Sequence, residues 1–413
     1  MLLSCFIFPL LRHLSKVRVD DRNYVVLGGG VLVSRKILYI VNAAEYFVSH
    51  RLCIAKKAMA MGYDVHVASH ISSNADIAAI NVIKENGLSF HDLPIIRGGQ
   101  NPLVEIVSIF KTYLLMRRLH PDLVHLVTIK PVLYGGIAAR MAGVESVVAA
   151  IAGLGTVFIS ETLFSKFRRW LVSCLLGFAL NKDKLVAIFQ NADDRDALLG
   201  LGVLDISQAR IIRGSGVDIV DYPYVPEPVG KPVVVMVARL LRDKGVLEFV
   251  EAARTLHERG IQVDMRLIGE PDLGNPSSVS AQDMERWAAD GSVSLLGFQK
   301  DIAKQYAGAN IACLPSYREG LPKSLVEAAA CGRAVVTTDV PGCRDAIIPN
   351  VTGYLVSPKN SCELADALQV LVERSDIRAG MGEAGRKLAE ECFDVDKIVN
   401  QHILIYKEML VDD

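Results

Sequence analysis

Short apolar runs separated by segments of helical periodicity repeat along this 413-residue chain, and the repeat is interrupted once. Runs at Ile37–Val41, Val65–Ala68, Leu123–Val127, Val147–Ile151, Leu185–Ile188 and Arg210–Ile212 read as strands, with helical patterns between them. The break is Tyr222-Pro223-Tyr224-Val225-Pro226-Glu227-Pro228-Val229-Gly230-Lys231-Pro232, where four prolines in eleven residues stop either pattern from continuing. The rhythm restarts at Val233, with further runs at Val263–Ile268, Val293–Leu295, Ile311–Leu314 and Ala334–Thr337. Strand–helix–strand alternation implies parallel sheets with helices on both faces. The expected fold is α/β, with two doubly wound, Rossmann-like domains. The predicted divisions are residues 36–216, a linker at 217–232, a second domain at 233–394 and a last helix at 395–413.

The densest chemistry lies in Ser316-Tyr317-Arg318-Glu319-Gly320-Leu321-Pro322-Lys323-Ser324-Leu325-Val326-Glu327. It follows an apolar strand and opens a helix, with Pro322 suited to the first turn. Glu319 then lies in the loop at the strand's C-terminal end, and Glu327 about a turn and a half into the helix. Ligands of open α/β sheets bind at that edge. Two acceptor-only carboxylates suit a ligand rich in hydroxyls, and a helix N-terminus suits phosphate. A nucleotide sugar offers both. The N–H groups of Leu321, Lys323 and Ser324 are candidate donors to a diphosphate; Pro322 has none to give. Upstream, Val233-Val234-Val235-Met236-Val237-Ala238-Arg239-Leu240-Leu241-Arg242-Asp243-Lys244-Gly245 runs from strand to turn to helix. It places Arg239 and Lys244 where two cations could reach the same diphosphate. Cations at a helix entrance oppose the helix dipole, so their position asks for a ligand. Ile268-Gly269-Glu270 ends the next strand, and Gly269 either borders the base or only turns the chain.

Ala238-Arg239-Leu240-x-x-x-Lys244-Gly245 followed by Glu319-x7-Glu327 resembles the family 4 retaining glycosyltransferases, which have the GT-B fold. The resemblance runs from about Lys36 to the C-terminus. Ser49-His50-Arg51, Gly153-Leu154-Gly155, Gly214-Ser215-Gly216-Val217-Asp218 and Pro341-Gly342-Cys343-Arg344-Asp345-Ala346 are similar to bacterial members that extend polyprenyl-diphosphate-linked glycans, N-acetylgalactosaminyltransferases among them. It implies that Glu327 takes the ribose hydroxyls, and that Glu319 contacts the donor sugar beside Arg239 and Lys244. Gly320, Leu321, Lys323, Ser324 and Gly269 would complete the donor side. It also implies that the last helix crosses back to the first domain, and that the first domain holds a lipid-linked saccharide acceptor.

The acceptor candidates in that first domain are His50, Arg51, Lys130, Gly153 and Gly155. Two departures from the family pattern stand out. Asn42-Ala43-Ala44 replaces the glycine-rich loop many GT-B enzymes carry after the first strand, and Val127 stands where a second histidine commonly follows the one matching His125. His125 itself reads as a core histidine. Asp194-Arg195-Asp196 imitates a DxD metal motif, but Asn191 before it and residues i, i+2 on different helix faces make it a capping segment. No metal and no cofactor are expected.

A formal net charge of −1 gives no sign of nucleic-acid binding. Hydrophobic residues make up 51% of the chain, yet no apolar run reaches the 18 or so residues a spanning helix needs. Contact with a membrane surface is expected instead, through Leu163-Phe164-Ser165-Lys166-Phe167-Arg168-Arg169-Trp170-Leu171-Val172, on the inner face of the cytoplasmic membrane. The eight cysteines show no metal-type spacing and read as reduced thiols. Residues 1–35 read as an extension of uncertain structure. Two other readings remain: a GT-B hydrolysing UDP-sugar epimerase, and an NAD-dependent oxidoreductase suggested by Gly28-Gly29-Gly30. The second fails its context, because the triplet precedes the first clear strand.

Overall fold

The computed structural model describes residues 24–27, 30–95, 102–154, 163–272 and 274–411. A short antiparallel hairpin, β1 (Tyr24–Leu27) and β2 (Gly30–Val33), precedes two parallel sheets. The first sheet holds β3 (Lys36–Ile40), β4 (Asp64–Ser69), β5 (Ser89–Asp92), β6 (Leu123–Val127), β7 (Ser146–Ile151), β8 (Leu185–Phe189) and β9 (Ala209–Ile211). Its order is β5-β4-β3-β6-β7-β8-β9. The second holds β10 (Val233–Val237), β11 (Asp264–Ile268), β12 (Ser294–Gly297), β13 (Ile311–Leu314), β14 (Ala334–Thr338) and β15 (Gly353–Val356), ordered β12-β11-β10-β13-β14-β15. In each sheet the chain starts in the middle, builds one wing, then crosses over to build the other. The crossovers create switch points at β3/β6 and β10/β13, beyond whose C-terminal ends a doubly wound sheet leaves a crevice.

The central strands are almost wholly apolar because helices cover both faces; His125 of β6 is the buried exception. Every residue of β6 and β13 is buried. One face of the first sheet packs on helices Leu52–Ala60 and Asn74–Glu85 and on the last helix, Val395–Met409. The other packs on helices Pro102–Leu119, Ile129–Ala142 and Leu163–Leu180. The last helix belongs by packing to the first sheet. It buries Ile398, Val399, Ile403, Ile405, Tyr406 and Met409 there, each worth about 2 kcal/mol relative to exposure. Tyr406 Oη lies 2.6 Å from Tyr39 Oη and 2.5 Å from His125 Nδ1, so His125 is a core histidine.

The proline-rich segment is tied to the second sheet rather than free. Arg333, fully buried, donates to the carbonyls of Ala309, Cys331 and Val225. Glu227 accepts from Arg378 at 2.6 Å and from Asn310 at 2.9 Å. Among the described residues, no helix is long and apolar enough to cross a membrane.

Candidate active site between the two sheets

The C-terminal ends of both sheets face each other, and the site candidates gather where β10 and β13 end. After β10, a short 3-10 turn (Arg242–Lys244) leads to Gly245, whose φ is +75°, and then to helix Val246–Glu258. Any side chain at Gly245 would press into the backbone of Pro315, so glycine lets the β10 and β13 loops meet. That contact brings Lys244 to Glu319: the ammonium Nζ donates to Glu319 Oε1, and Ser316 Oγ donates to the same oxygen at 2.8 Å. Both charged side chains are mostly shielded from solvent. Arg239 stands in the same loop but is 41% exposed and donates to Asp272 Oδ2 at 2.5 Å. Gly269, at φ +136°, abuts the backbone of Ala238, so it seats the Arg239 loop against β11.

The helix after β13 starts at Lys323, with Pro322 immediately before it as N-cap. Glu327 therefore sits just over one turn into it, nearer the helix mouth than the sequence suggests. Its side chain is 10% exposed; Oε1 accepts from Tyr222 Oη at 2.9 Å and lies 3.6 Å from Lys323 Nζ. Burial raises the Glu327 carboxyl above its ordinary pKa, partly offset by Lys323 and Tyr222. The neighbouring Ser324 carbonyl accepts from Tyr306 Oη at 2.7 Å. Leu321 is buried against Gly214. The first N–H groups of this helix have no partner in a preceding turn and are available to an anion.

The first sheet closes over this loop. A Cβ on Gly153, beyond β7, would stand 3.4 Å from the Gly320 nitrogen, and Gly320 carries its own carbonyl to Asn191 Nδ2 at 2.8 Å. Asn191 also caps helix Ala192–Gly200, accepting from the Asp194 N–H at 2.8 Å. Asp194 is fully buried and pairs with Arg318 across the cleft, so the acid that imitates a metal motif fastens one domain to the loop of the other. Lys323 Nζ donates to the Ser49 carbonyl at 3.1 Å. Asp194→Asn keeps the cap but loses the charge. It is expected to lower kcat about tenfold, the equivalent of roughly 1.4 kcal/mol, with nucleotide affinity changed less than twofold; parallel kinetics and titration measure the split.

On the acceptor side the structure separates the candidates. His50 stacks on Tyr46 with ring centroids 4.0 Å apart, and its Nδ1 lies 2.7 Å from Ser49 Oγ. Burial, with Arg51 and Lys323 nearby, drops its pKa to about 3, which keeps the imidazole neutral. Arg51 is 2% exposed and donates to the His50 carbonyl at 2.9 Å, its charge held near Tyr39, His125 and His402. Its guanidinium is thus buried in the first domain rather than displayed on its surface. Lys130 is committed to Glu105 at 2.9 Å, so it does not present a free cation. Gly155 lies outside the described residues, as do the side chains of 163–171 on which the expected membrane contact rested.

Sequence reasoning missed Tyr222, Ser316, Asp272, the bond from Asn191 to the Gly320 carbonyl and the Asp194–Arg318 pair. Tyr222 lies in the proline-rich segment, where no periodicity marks a site residue. Ser316 acts on Glu319 only three residues on, but as a loop serine it carries no mark of that role, and the rest act through partners dozens of residues away, which spacing does not reveal.

Comparison with known proteins agrees with this architecture. Residues 224–388 match the model described as "Glycosyl transferases group 1", and residues 36–191 match "Glycosyl transferase 4-like". An N,N'-diacetylbacillosaminyl-diphospho-undecaprenol alpha-1,3-N-acetylgalactosaminyltransferase of Campylobacter jejuni is 28% identical over 76% of this chain and 84% of its own length. A UDP-Gal:alpha-D-GlcNAc-diphosphoundecaprenol alpha-1,3-galactosyltransferase of Escherichia coli is 26% identical over 75% of this chain and 81% of its own. The crystal structure of Anabaena Alr3699/HepE with UDP and glucose superposes with a TM-score of 0.71 at 21% identity, covering 90% of this chain and 99% of that one. The two family matches together take in most of the molecule, each on its own sheet, and the chain belongs to the family 4, GT-B glycosyltransferases.

Proposed function

We propose that this glycosyltransferase moves a hexose or N-acetylhexosamine, with retention at the anomeric carbon, from a UDP-sugar to a polyprenyl-diphosphate-linked glycan. The reaction would serve bacterial O-antigen, capsule or related glycan assembly, at the cytoplasmic face of the membrane. The observation that carries the donor side is the helix mouth at Lys323, with Glu319 and Lys244 on one side and Glu327 on the other. Tyr222 occupies Glu327 Oε1, which leaves Oε2 to accept from ribose hydroxyls. As the diphosphate leaves the sugar its charge grows, and a fixed Lys244 stabilises that growth more than it stabilises bound substrate. Arg239 adds a second cation by exchanging Asp272 for phosphate oxygens. The undecaprenyl-diphosphate acceptors in the names of the Campylobacter and Escherichia relatives support the acceptor class. Residues of the first sheet, His50 and Gly153 foremost, would meet that acceptor, and closure over Gly320 would keep water out.

Calorimetric titration with UDP, GDP and NAD tests the donor side. UDP is expected to bind in the micromolar range, and Glu327→Gln to weaken it about tenfold, roughly 1.4 kcal/mol. GDP binding in its place would change the donor and keep the family. NAD binding indifferent to Glu327→Gln would sink the donor assignment.

A further inference from the structure

Helix Pro102–Leu119 packs Met116, Ile109, Tyr113, Leu115 and Leu119 on the core of the first sheet, yet it carries a second apolar face outward, which a surface helix normally makes polar. Ser108 and Thr112 are turned inward and are fully buried. Their hydroxyls are satisfied locally: Ser108 donates to the Pro94 carbonyl at 2.5 Å, and Thr112 to the Ser108 carbonyl at 2.7 Å. Outward stand Leu103, Ile106, Val107, Phe110 and Leu114, exposed to 73%, 61%, 48%, 55% and 48%. The spacing i, i+3, i+4, i+7, i+11 makes these one continuous stripe. Exposed Lys111 borders the stripe, and exposed Arg117 and Arg118 close it in the last turn. The helix's one acid, Glu105, is mostly buried and taken by Lys130. The outward face therefore offers apolar side chains and cations, and no anion.

We propose that this face seats the enzyme on an anionic bilayer, with the apolar stripe in the acyl boundary and the three cations on lipid phosphates. Charge selects the occupant. A second copy of the chain would set Lys111, Arg117 and Arg118 against the same cations, whereas an anionic headgroup layer neutralises them. Position agrees with the catalytic geometry. Glu105, on the helix's first turn, is bonded to Lys130, on the first turn of the helix that follows β6 at its cleft edge. The stripe thus begins beside the acceptor side of the cleft and runs away from it for 18 residues, about 27 Å. A membrane lying along it brings a lipid-held diphosphate to the cleft. The inference rests on the lipid-linked acceptor reading but is tested apart from it.

The test is co-sedimentation of the full-length protein with vesicles of phosphatidylglycerol and phosphatidylethanolamine, with phosphatidylcholine vesicles as the uncharged comparison. Wild type is expected to partition onto the anionic vesicles. The triple variant Ile106→Ser, Phe110→Ser, Leu114→Ser should lose about tenfold or more of that partitioning, because three exposed apolar anchors are gone. Lys111→Gln, Arg117→Gln, Arg118→Gln should lose the salt-sensitive part. These side chains point to solvent, so both variants should keep wild-type UDP affinity and wild-type turnover on a short-chain, water-soluble acceptor. Vesicle binding undiminished in the apolar variant overturns the proposal. So does a solution dimer that this variant dissociates, since that makes the face a contact between copies. Helix-dependent vesicle binding in a protein that fails to bind UDP would overturn the UDP-sugar reading and leave the docking face standing.

Discussion

Lys244→Ala is expected to cut turnover about 10²- to 10³-fold, the usual cost of removing one fixed group that stabilises transition-state charge. The argument starts from shielding. The Lys244 side chain is 22% exposed and held by Glu319, so its charge acts in a medium poorer in water than the bulk. It needs no reorganisation when diphosphate charge appears. A further effect acts in the same direction. Glu319 loses its ion-pair partner while 12% exposed and keeps Ser316 Oγ as a donor, so a shielded carboxylate is left without the cation that fixed its position. The loss should therefore appear mainly in kcat, with UDP affinity falling less. Arg239→Ala should be milder, because Arg239 is 41% exposed and shares its charge with Asp272. Steady-state kinetics on UDP-sugar and lipid acceptor measures the difference. Equal losses for the two variants would mean that Lys244 contributes charge alone and that its placement against Glu319 does not matter.

How far the site could be read from the chain depends on distance along it. Glu319 and Glu327 share a strand–loop–helix unit, and Arg239 and Lys244 share another, so local periodicity placed each pair at the correct sheet edge. Strands such as Val147–Ile151 were legible because a strand covered on both faces is apolar at nearly every position. β5, Ser-Phe-His-Asp, was not, being short, partly exposed and mixed in polarity. β15, Gly-Tyr-Leu-Val, is as short and begins with a glycine that argues against a strand. Its glycine is required by packing, since a side chain there would meet the backbone of Val335. Helix Pro102–Leu119 has a legible apolar stripe, but periodicity alone gives the stripe's width and not which way it faces. The inward face holds Met116, Ile109, Tyr113, Leu115 and Leu119, and Ser108 and Thr112 fit beside them because their hydroxyls bond to nearby carbonyls. The same limit applies to Arg51, which as a residue type suggests an anion and in the fold is buried.

Gly320→Ala is expected to lower kcat by two orders of magnitude or more while leaving UDP affinity within about threefold, since roughly 2.7 kcal/mol of lost transition-state stabilisation corresponds to 10². Gly320 has no unusual φ to explain its lack of a side chain; the constraint comes from the other domain. A Cβ there would stand 2.7 Å from the Ala152 carbonyl oxygen and would also press on the Gln190 side chain. Gln190 can swing aside, but the Ala152 backbone is fixed by β7 directly before it. The added methyl therefore holds the two sheets apart by part of an ångström or more, where Gly153 otherwise meets the Gly320 nitrogen and Asn191 its carbonyl. Such a displacement at the reacting centre costs far more in rate than in binding. UDP would be gripped by residues of the second domain, Glu327 and the helix mouth, which the methyl does not touch. The separation of effects is the test: a variant that loses UDP affinity in step with turnover would show that the β13 loop had been distorted, and that closure of the first domain over Gly320 is not what turnover depends on.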